Sequence, residues 1–361
     1  MKLKLFTKRH AHASGGSQQK DNNVNSACAL FLMGDSSEDV LKLKLNNGNE
    51  MPAIALGTHL GFDEHGMVHS SNKELRDIIL RAIELGYRHF DTASVYETEG
   101  EIGEAICMKI KEGEIEREDV FVTTKLWNTN HNREQVPTAL RDTLEKMGLN
   151  YVDLYLMHWP IGLNEDYTHS DVDYMETWRG LEDAQRLGLT KGIGVSNFNS
   201  TQLKRVVEEG SIKPAVLQIE NHPQITQQEL VDYAHEQDIV VMGYSPLGSL
   251  VKRYGVQLPG PKINDPILTG IARKYGKTTP QVVLRWLVDR NIVPIVKTIK
   301  VHRLKENMDI FDFRLKEDEI AAISNFDEHK RYTCPSFWQN HPNYPFEKVD
   351  DPIPDPFLTK K

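Results

Sequence analysis

The fold is decided by the stretch Tyr87-Arg88-His89-Phe90-Asp91-Thr92-Ala93-Ser94-Val95-Tyr96, in which a short apolar strand runs into an aspartate. A tyrosine follows within a predicted loop. Later strands of the chain also end on single polar residues: Lys125, His158, Asn197, Glu220, Tyr244 and Thr298. This recurrence predicts that one strand–helix unit is repeated along the chain, and that the polar strand ends meet at one rim.

Eight such units follow one another. The predicted strands cover residues 54–58, 87–91, 120–125, 152–158, 192–196, 215–220, 239–244 and 292–297. The predicted helices cover residues 72–85, 99–111, 133–147 and 174–187, and further helices start at residues 200, 226, 266 and 301. Several strands are continuous apolar runs, such as Leu154-Tyr155-Leu156-Met157. Such runs indicate burial on both faces, and hence parallel strands covered by helices.

A closed barrel is the architecture that eight units favour. The alternative, an open doubly wound sheet, is expected to carry G-x-G-x-x-G in its first turn. The nearest match, Gly192-Ile193-Gly194-Val195-Ser196-Asn197, lacks the third glycine and lies mid-chain. Ahead of the units, the alternating run Leu41-Lys42-Leu43-Lys44-Leu45 followed by Asn47-Gly48 predicts a hairpin. We therefore predict an α/β fold, a (β/α)8 TIM barrel with an N-terminal β-hairpin and a long C-terminal loop.

The first 40 residues are rich in polar and basic side chains, and we predict a disordered or processed tail at 1–40 and a single barrel domain at 41–361. The tail contains one apolar run, Ala27-Cys28-Ala29-Leu30-Phe31-Leu32-Met33, which is close to the lower length limit of a signal-peptide core. We expect a cytoplasmic protein. Secretion is the alternative if this run belongs to a signal segment.

Composition excludes several classes of partner. The net charge of -9 argues against a nucleic-acid binder, since nothing offsets phosphate repulsion over the chain as a whole. No apolar run approaches the ~20 residues of a membrane helix. The three cysteines are far apart and form no CxxC motif, which argues against a thiolate metal site. We expect a monomer that acts on a small molecule, with no nucleic acid, membrane or metal.

The rim residues suggest proton transfer to an oxygen. Asp91, Lys125 and His158 end adjacent predicted strands, and Tyr96 lies just beyond the first of these. A tyrosine hydroxyl has an ordinary pKa near ~10, which a neighbouring ammonium group would lower. The aspartate would keep that lysine charged, and a neutral histidine would orient a carbonyl. The alternative is a structural Asp–Lys ion pair with an unrelated tyrosine.

At these residues the chain resembles the aldo-keto reductases, which are NADPH-dependent carbonyl reductases built on a (β/α)8 barrel. The resemblance runs from Leu43 to about Phe346. It rests on four ordered motifs: Gly86-Tyr87-Arg88-His89-Phe90-Asp91-Thr92-Ala93, Leu154-Tyr155-Leu156-Met157-His158-Trp159-Pro160, Gly194-Val195-Ser196-Asn197-Phe198 and Gly243-Tyr244-Ser245-Pro246-Leu247-Gly248-Ser249. The chain is similar to aldose and aldehyde reductases and, more loosely, to insect 3-dehydroecdysone 3β-reductases.

This resemblance implies a catalytic tetrad and a cofactor site. The tetrad is Asp91, Tyr96, Lys125 and His158, with Tyr96 as general acid in reduction. Tyr244 would stack on the nicotinamide ring, and Ser196, Asn197 and Gln218 would hold its carboxamide. Glu220 receives no role, because we expect it to point away from the side that Gln218 faces. The other residues implied in cofactor binding are Thr58, Asp91, Ser245, Leu247, Ser249, Lys297, Thr298, Arg303, Glu306 and Asn307.

Lys297 and Arg303 suit a 2′-phosphate, which favours NADPH over NADH; the alternative is plain solvated surface. Two positions depart from the family pattern. Val296 stands where a proline usually precedes the phosphate-binding lysine, and Val251 stands where aldose-reductase-like members carry an aspartate that latches over the cofactor. We expect the lysine to keep its role and cofactor release to be quicker.

Substrate contacts are expected from His59, Trp127, His158, Trp159 and Trp338. His59 occupies a position where aldose reductases carry tryptophan, and the connection at 161–174 is short, so we expect a bulky or steroid-like ketone such as 3-dehydroecdysone. For Phe337 and Trp338 the alternative is core packing. The alternative function is a non-catalytic cofactor-binding barrel, like the channel β-subunits or lens crystallins of the family. A metal-dependent hydrolase would need paired ligands at the rim, and this pattern does not supply them.

Overall fold

The N-terminal part of the chain forms a small antiparallel sheet. The computed structural model describes residues 31–32, 41–61, 73–252, 258–353 and 355–357. In it β1 (Phe31–Leu32) pairs with β2 (Lys42–Lys44), which forms the predicted hairpin with β3 (Glu50–Pro52). β1 lies before the boundary expected at residue 40. Leu43 and Met51 of the hairpin pack with Leu154 and Val216 inside the barrel, so the hairpin closes the barrel's N-terminal end.

Eight parallel strands form a closed barrel, as predicted. Each strand pairs with the next along the chain, and the last pairs with the first. The strands are β4 (Ala55–Gly57), β5 (His89–Asp91), β6 (Phe121–Leu126), β7 (Val152–Met157), β8 (Thr190–Ser196), β9 (Val216–Glu220), β10 (Val240–Tyr244) and β11 (Ile292–Val296).

The helices surround the barrel. They are α1 (Lys73–Glu84), α2 (Glu99–Lys111), α3 (Gln135–Met147), α4 (Tyr174–Arg186), α5 (Ser200–Glu209), α6 (Gln228–Glu236), α7 (Pro266–Tyr275), α8 (Thr279–Asp289), α9 (Val301–Met308) and α10 (Glu317–Ser324). Asn72, the first residue of the first predicted helix, lies outside the described residues. The prediction missed α8 and α10.

The main core lies between the barrel and its helices. The apolar stripe of α1 is buried there together with the outward side chains of the strands. A separate aromatic cluster, which includes Trp159 and Trp338, lies at the opposite end of the barrel from the hairpin. Among the described residues, none of the helices has the length and apolar character needed to cross a bilayer.

Candidate active site

A buried ion pair lies at the C-terminal rim of the barrel. Lys125 is 1% exposed, and its Nζ donates to Asp91 Oδ1 at 2.6 Å and to the carbonyl oxygen of Thr92 at 2.8 Å. The second carboxylate oxygen, Oδ2, accepts from Gln218 Nε2 at 2.7 Å. Burial lowers the pKa of Lys125, while the charge and hydrogen bond of Asp91 raise it. The Lys125 ammonium group and both Asp91 carboxylate oxygens therefore have hydrogen-bond partners, as a buried ion pair requires.

Tyr96 lies beside this pair on a single 3₁₀ turn, Ser94–Tyr96, where the sequence had predicted a loop. Lys125 Nζ is 5.1 Å from the centroid of the half-buried Tyr96 ring. The Tyr96 ring meets His158 edge-on at a centroid distance of 5.7 Å, and it lies 4.8 Å from the ring of His59. The structure thus brings all four tetrad residues together.

His158 is buried in a cationic neighbourhood. Burial lowers its pKa well below the ordinary value, and the charges of Lys125 and His59 lower it further. Its Nδ1 is buried without a hydrogen-bond partner among the described residues. The imidazole is therefore neutral at neutral pH, with no fixed protein partner for that nitrogen.

Three buried threonine hydroxyls brace the loop that carries Tyr96. Thr98 Oγ1 lies 3.0 Å from Thr58 Oγ1 and 3.1 Å from Thr92 Oγ1. Thr58 Oγ1 also donates to the carbonyl oxygen of Asp91 at 3.2 Å. Thr92 and Thr98 stand on either side of Tyr96 in the chain, so their contact closes its loop. Both threonines were missed by the sequence analysis, because a lone threonine near a strand end gives no signal.

A polar cluster continues the rim at the ends of β8 and β9. Asn197 has a left-handed backbone with φ 61°, a conformation that asparagine tolerates well. Its Nδ2 donates to the His158 carbonyl oxygen at 3.0 Å and to Ser196 Oγ at 3.2 Å, and its Oδ1 accepts from the Tyr244 hydroxyl at 2.7 Å. Gln218 pairs in register with Ser196. The residues expected to hold the nicotinamide carboxamide are thus neighbours of Tyr244, the residue expected to stack on the nicotinamide ring.

Glu220 does not point away from the side of Gln218. Residues two apart on a strand share a face, so the expectation of opposite sides was wrong. Glu220 is fully buried, and its carboxylate accepts hydrogen bonds from the backbone N–H groups of Tyr332 and Thr333 at 2.8 and 2.7 Å.

The loop after β10 carries three further residues that were expected to bind the cofactor. Ser245 has a φ of 53°, and Leu247 is half-buried. Ser249 is buried, and its Oγ donates to the Pro261 carbonyl oxygen at 2.7 Å. Val251 is exposed.

The segment from the end of β11 into α9 is basic. Lys297, Lys300 and Arg303 have no carboxylate partner among the described residues, and Lys297 Nζ lies 3.5 Å from the Leu60 carbonyl oxygen. The Lys297 side chain is exposed, and partial desolvation by its neighbours lowers its pKa.

The other three residues expected in this segment are more enclosed. Thr298 is buried, and its Oγ1 accepts from the Lys300 N–H at 3.0 Å. Asn307 is buried too, whereas Glu306 accepts from the Thr278 hydroxyl at 2.7 Å.

Comparison with known proteins identifies the family of the chain. The model of the Aldo/keto reductase family matches residues 53–328. The chain belongs to the aldo-keto reductase family. Aldo-keto reductase AKR2E4 of Bombyx mori is 46% identical over 303 residues, which cover 84% of this chain and 97% of the relative. Its crystal structure in complex with NADP has a TM-score of 0.81 at 44% identity and covers 85% of this chain and 99% of that one.

Two other aldo-keto reductases extend the comparison. The structure of AKR2E5 of the silkworm Bombyx mori, complexed with NADPH, has a TM-score of 0.85 at 43% identity and covers 90% of this chain and 98% of that one. The 3-alpha-hydroxysteroid dehydrogenase of Rattus norvegicus is 36% identical over 324 residues, 85% of this chain and 98% of the relative. The AKR2E4 and AKR2E5 structures were thus determined with NADP and NADPH, respectively.

An aromatic wall borders the tetrad, made of Trp127, Trp159, Trp338 and Phe357. The Trp127 ring lies 5.4 Å from His158, 5.9 Å from Trp338 and 5.6 Å from Phe357. Trp338 is 2% exposed and stacks on Phe357 at 6.0 Å and 9°. The half-buried Phe337 packs edge-on against Trp338 at 4.8 Å. Trp338 therefore both fills the cluster and backs Trp127, and Phe357 is a member that the sequence did not single out.

Proposed function

We propose that this aldo-keto reductase reduces aldehydes and ketones to alcohols with NADPH, with Tyr96 as the proton donor. The observation that carries the proposal is the convergence of Tyr96 and His158 on a fully buried Asp91–Lys125 pair. A structural ion pair alone would explain neither the neighbouring tyrosine nor a neutral histidine edge-on to it.

The residues present fit NADPH. Lys297, Lys300 and Arg303 offer cations that no described carboxylate neutralises, as a 2′-phosphate requires. Where the nicotinamide is expected, the half-buried Tyr244 ring lies beside the amide of Asn197. Thr58, Ser245, Leu247, Ser249, Thr298, Glu306 and Asn307 are proposed to complete the site. When bound, NADPH supplies the hydride that reduces the carbonyl carbon.

The proton comes from the Tyr96 hydroxyl and is transferred to the carbonyl oxygen. The ammonium group of Lys125 stabilises the negative charge left on the phenolate. A tyrosine in bulk water has no such cation beside it. Asp91 keeps that ammonium charged in a site from which water is excluded, and Gln218 holds the carboxylate from its other side. The Asp91 carboxylate thus connects Gln218 on one side with Lys125, and through Lys125 with Tyr96, on the other.

His158 orients the carbonyl and does not act as an acid. Because burial keeps its imidazole neutral, it offers a hydrogen bond without competing with Tyr96 for proton transfer. Asn197 holds the backbone of His158 through the carbonyl oxygen at 3.0 Å.

The substrate proposed is a bulky, flat ketone of the steroid kind, with 3-dehydroecdysone as a specific candidate. Trp127 and Trp159 offer it an apolar surface beside His158, and His59 presents a ring smaller than an indole beside Tyr96. One relative, the 3-alpha-hydroxysteroid dehydrogenase, carries a steroid in its name.

The test is Tyr96→Phe. We expect NADPH-dependent reduction of para-nitrobenzaldehyde to fall by at least about a thousandfold, while the affinity for NADPH, measured by calorimetry, changes by less than about twofold. Phenylalanine keeps the ring and removes only the hydroxyl.

Tyr167→Phe is the matched control, since Tyr167 stacks on Phe357 at 5.0 Å without touching the tetrad, and it should keep full activity. Tight NADPH binding with no turnover by the native chain would instead support a cofactor-binding barrel. Turnover by Tyr96→Phe at the native rate would refute the proton-donor role. A panel of steroid ketones and sugars, compared by kcat/KM, tests the substrate class.

A further inference from the structure

A buried carboxylate without a role in the tetrad lies on the last residue of β9. Glu220 Oε1 accepts from the Tyr332 N–H at 2.8 Å, and Oε2 accepts from the Thr333 N–H at 2.7 Å. Burial raises the pKa of Glu220, but His222 and these two N–H groups outweigh it, so the pKa lies below the ordinary value. An ionised, fully buried carboxylate therefore holds the segment that leads to Trp338.

His222 completes this anchor. It is fully buried, and its Nδ1 accepts from the backbone N–H of Gln224 at 3.3 Å. The ring proton consequently lies on Nε2, which donates to Glu220 Oε1 at 2.9 Å. The imidazole also stacks on the Tyr332 ring at 4.8 Å and 18°.

The same tyrosine reaches the loop after β10. The Tyr332 hydroxyl lies within hydrogen-bond distance of Gln224 Oε1 and, at 2.8 Å, of the Pro259 carbonyl oxygen. Gln224 Nε2 donates to that same carbonyl oxygen at 2.8 Å. Tyr332 is thus bonded to the loop that carries the expected cofactor residue Ser249.

Two glycines show how closely this loop lies on the anchor. A Cβ added to Gly248 would lie 2.8 Å from Cγ of His222, and one added to Gly260 would lie 1.7 Å from Nε2 of Gln224. The loop cannot shift toward these side chains without displacing them. Packed interfaces of this kind transmit displacement because they have no free volume to absorb it.

We propose that Glu220, His222, Gln224 and Tyr332, which we name the Glu220 junction, couple the loop after β10 to the C-terminal segment, so that NADP(H) binding positions the aromatic wall. The inference rests on the proposed function, because it takes the loop with Ser249 to be the cofactor side. Trp338 lies six residues beyond Tyr332 in the chain and backs Trp127. The four are positioning residues and touch no reacting atom.

The experiment is hydrogen exchange of the native chain and of Tyr332→Phe, with and without NADP+. Phenylalanine keeps the stacking on His222 and removes only the hydroxyl. In the native chain we expect NADP+ to slow exchange both at residues 245–252 and at residues 332–341. In Tyr332→Phe the first effect should remain, and the second should fall by about fivefold, the equivalent of one hydrogen bond. The KM for para-nitrobenzaldehyde should rise by a similar factor with kcat unchanged.

Tyr344→Phe is the matched control. Tyr344 belongs to the same segment, but its hydroxyl contacts Cys334 and not the loop. This variant should behave as the native chain. Glu220→Gln is the second variant, and it should lose the response of residues 332–341 in the same way.

Three results would overturn the inference. If both variants keep the full response of residues 332–341, the coupling does not run through the junction. If NADP+ slows exchange at residues 245–252 but not at residues 332–341 of the native chain, coupling is absent and the proposed function stands. If NADP+ protects neither segment, the proposed function fails together with the inference.

Discussion

Asp91→Asn removes the charge on which the tetrad depends, with almost no change in side-chain volume. The native carboxylate accepts from Lys125 at 2.6 Å and from Gln218 at 2.7 Å, and the lysine side chain is fully buried. Removing one partner of a buried ion pair costs about 3–5 kcal/mol, because the charge left behind is uncompensated. We expect the free energy of unfolding at neutral pH to fall by about this amount, and reductase activity to fall with it.

The pH dependence of this loss identifies its cause. Burial already lowers the pKa of Lys125, and Asp91 opposes that effect. Without the carboxylate, the native-state pKa falls further below the unfolded-state value of ~10.4. Between these two pKa values the unfolded chain binds more protons than the native one, so stability rises with pH. The deficit of Asp91→Asn relative to the native chain should therefore shrink toward alkaline pH.

Urea unfolding followed by circular dichroism, at neutral pH and at about pH 9, measures this dependence. Asp289→Asn is the matched control, since the Asp289 side chain is also buried but pairs with two arginines, Arg285 at 2.7 Å and Arg314 at 3.5 Å, at the end of α8 and far from the rim. An arginine cannot lose its proton, so the control should lose stability about equally at both pH values and keep its activity. An equal, pH-independent loss in Asp91→Asn would refute the account of Lys125.

Two further predictions concern the cofactor and His158. Arg303→Ala should raise the KM for NADPH by about tenfold or more and the KM for NADH by less than about twofold, because a charge-assisted phosphate contact is lost. Lys305→Ala, on the exposed side of α9, is the control, and equal effects of Arg303→Ala on both cofactors would contradict the phosphate contact. Because burial lowers the pKa of His158 well below its ordinary value, kcat should show no acidic limb near that ordinary value of 6.5. Such a limb, lost in His158→Gln, would contradict a neutral histidine.

The barrel was predictable because each strand carries its own signal. A continuous run such as Leu154-Tyr155-Leu156-Met157 has few alternatives to a buried parallel strand, and parallel strands leave their polar ends at one rim. The division of α7 from α8 was equally visible and was missed. Gly276 ends α7 with a left-handed φ of 65°, and Thr278 with Gln281 forms the capping box of α8.

The bracing around the site was not predictable in the same way. Glu220 finds its partners in the backbone of Tyr332 and Thr333, and a backbone N–H leaves no trace in a sequence. Thr98 meets Thr58 only because β4 and β5 lie side by side in the closed barrel. Phe357 joins the aromatic wall after a stretch without regular structure, where no periodicity exists to be recognised.

The position of Trp127 also gives the protein a label-free optical signal. Of the five tryptophans, Trp178 and Trp286 are buried in the main core, away from the rim. Trp127 is half-buried, 5.4 Å from His158. Indole emission shifts to shorter wavelength as water leaves its surroundings, so a bulky apolar molecule on this ring should move the emission, whereas a small aldehyde that leaves the ring hydrated should not. The emission wavelength thereby reports whether a given compound covers the aromatic wall at Trp127.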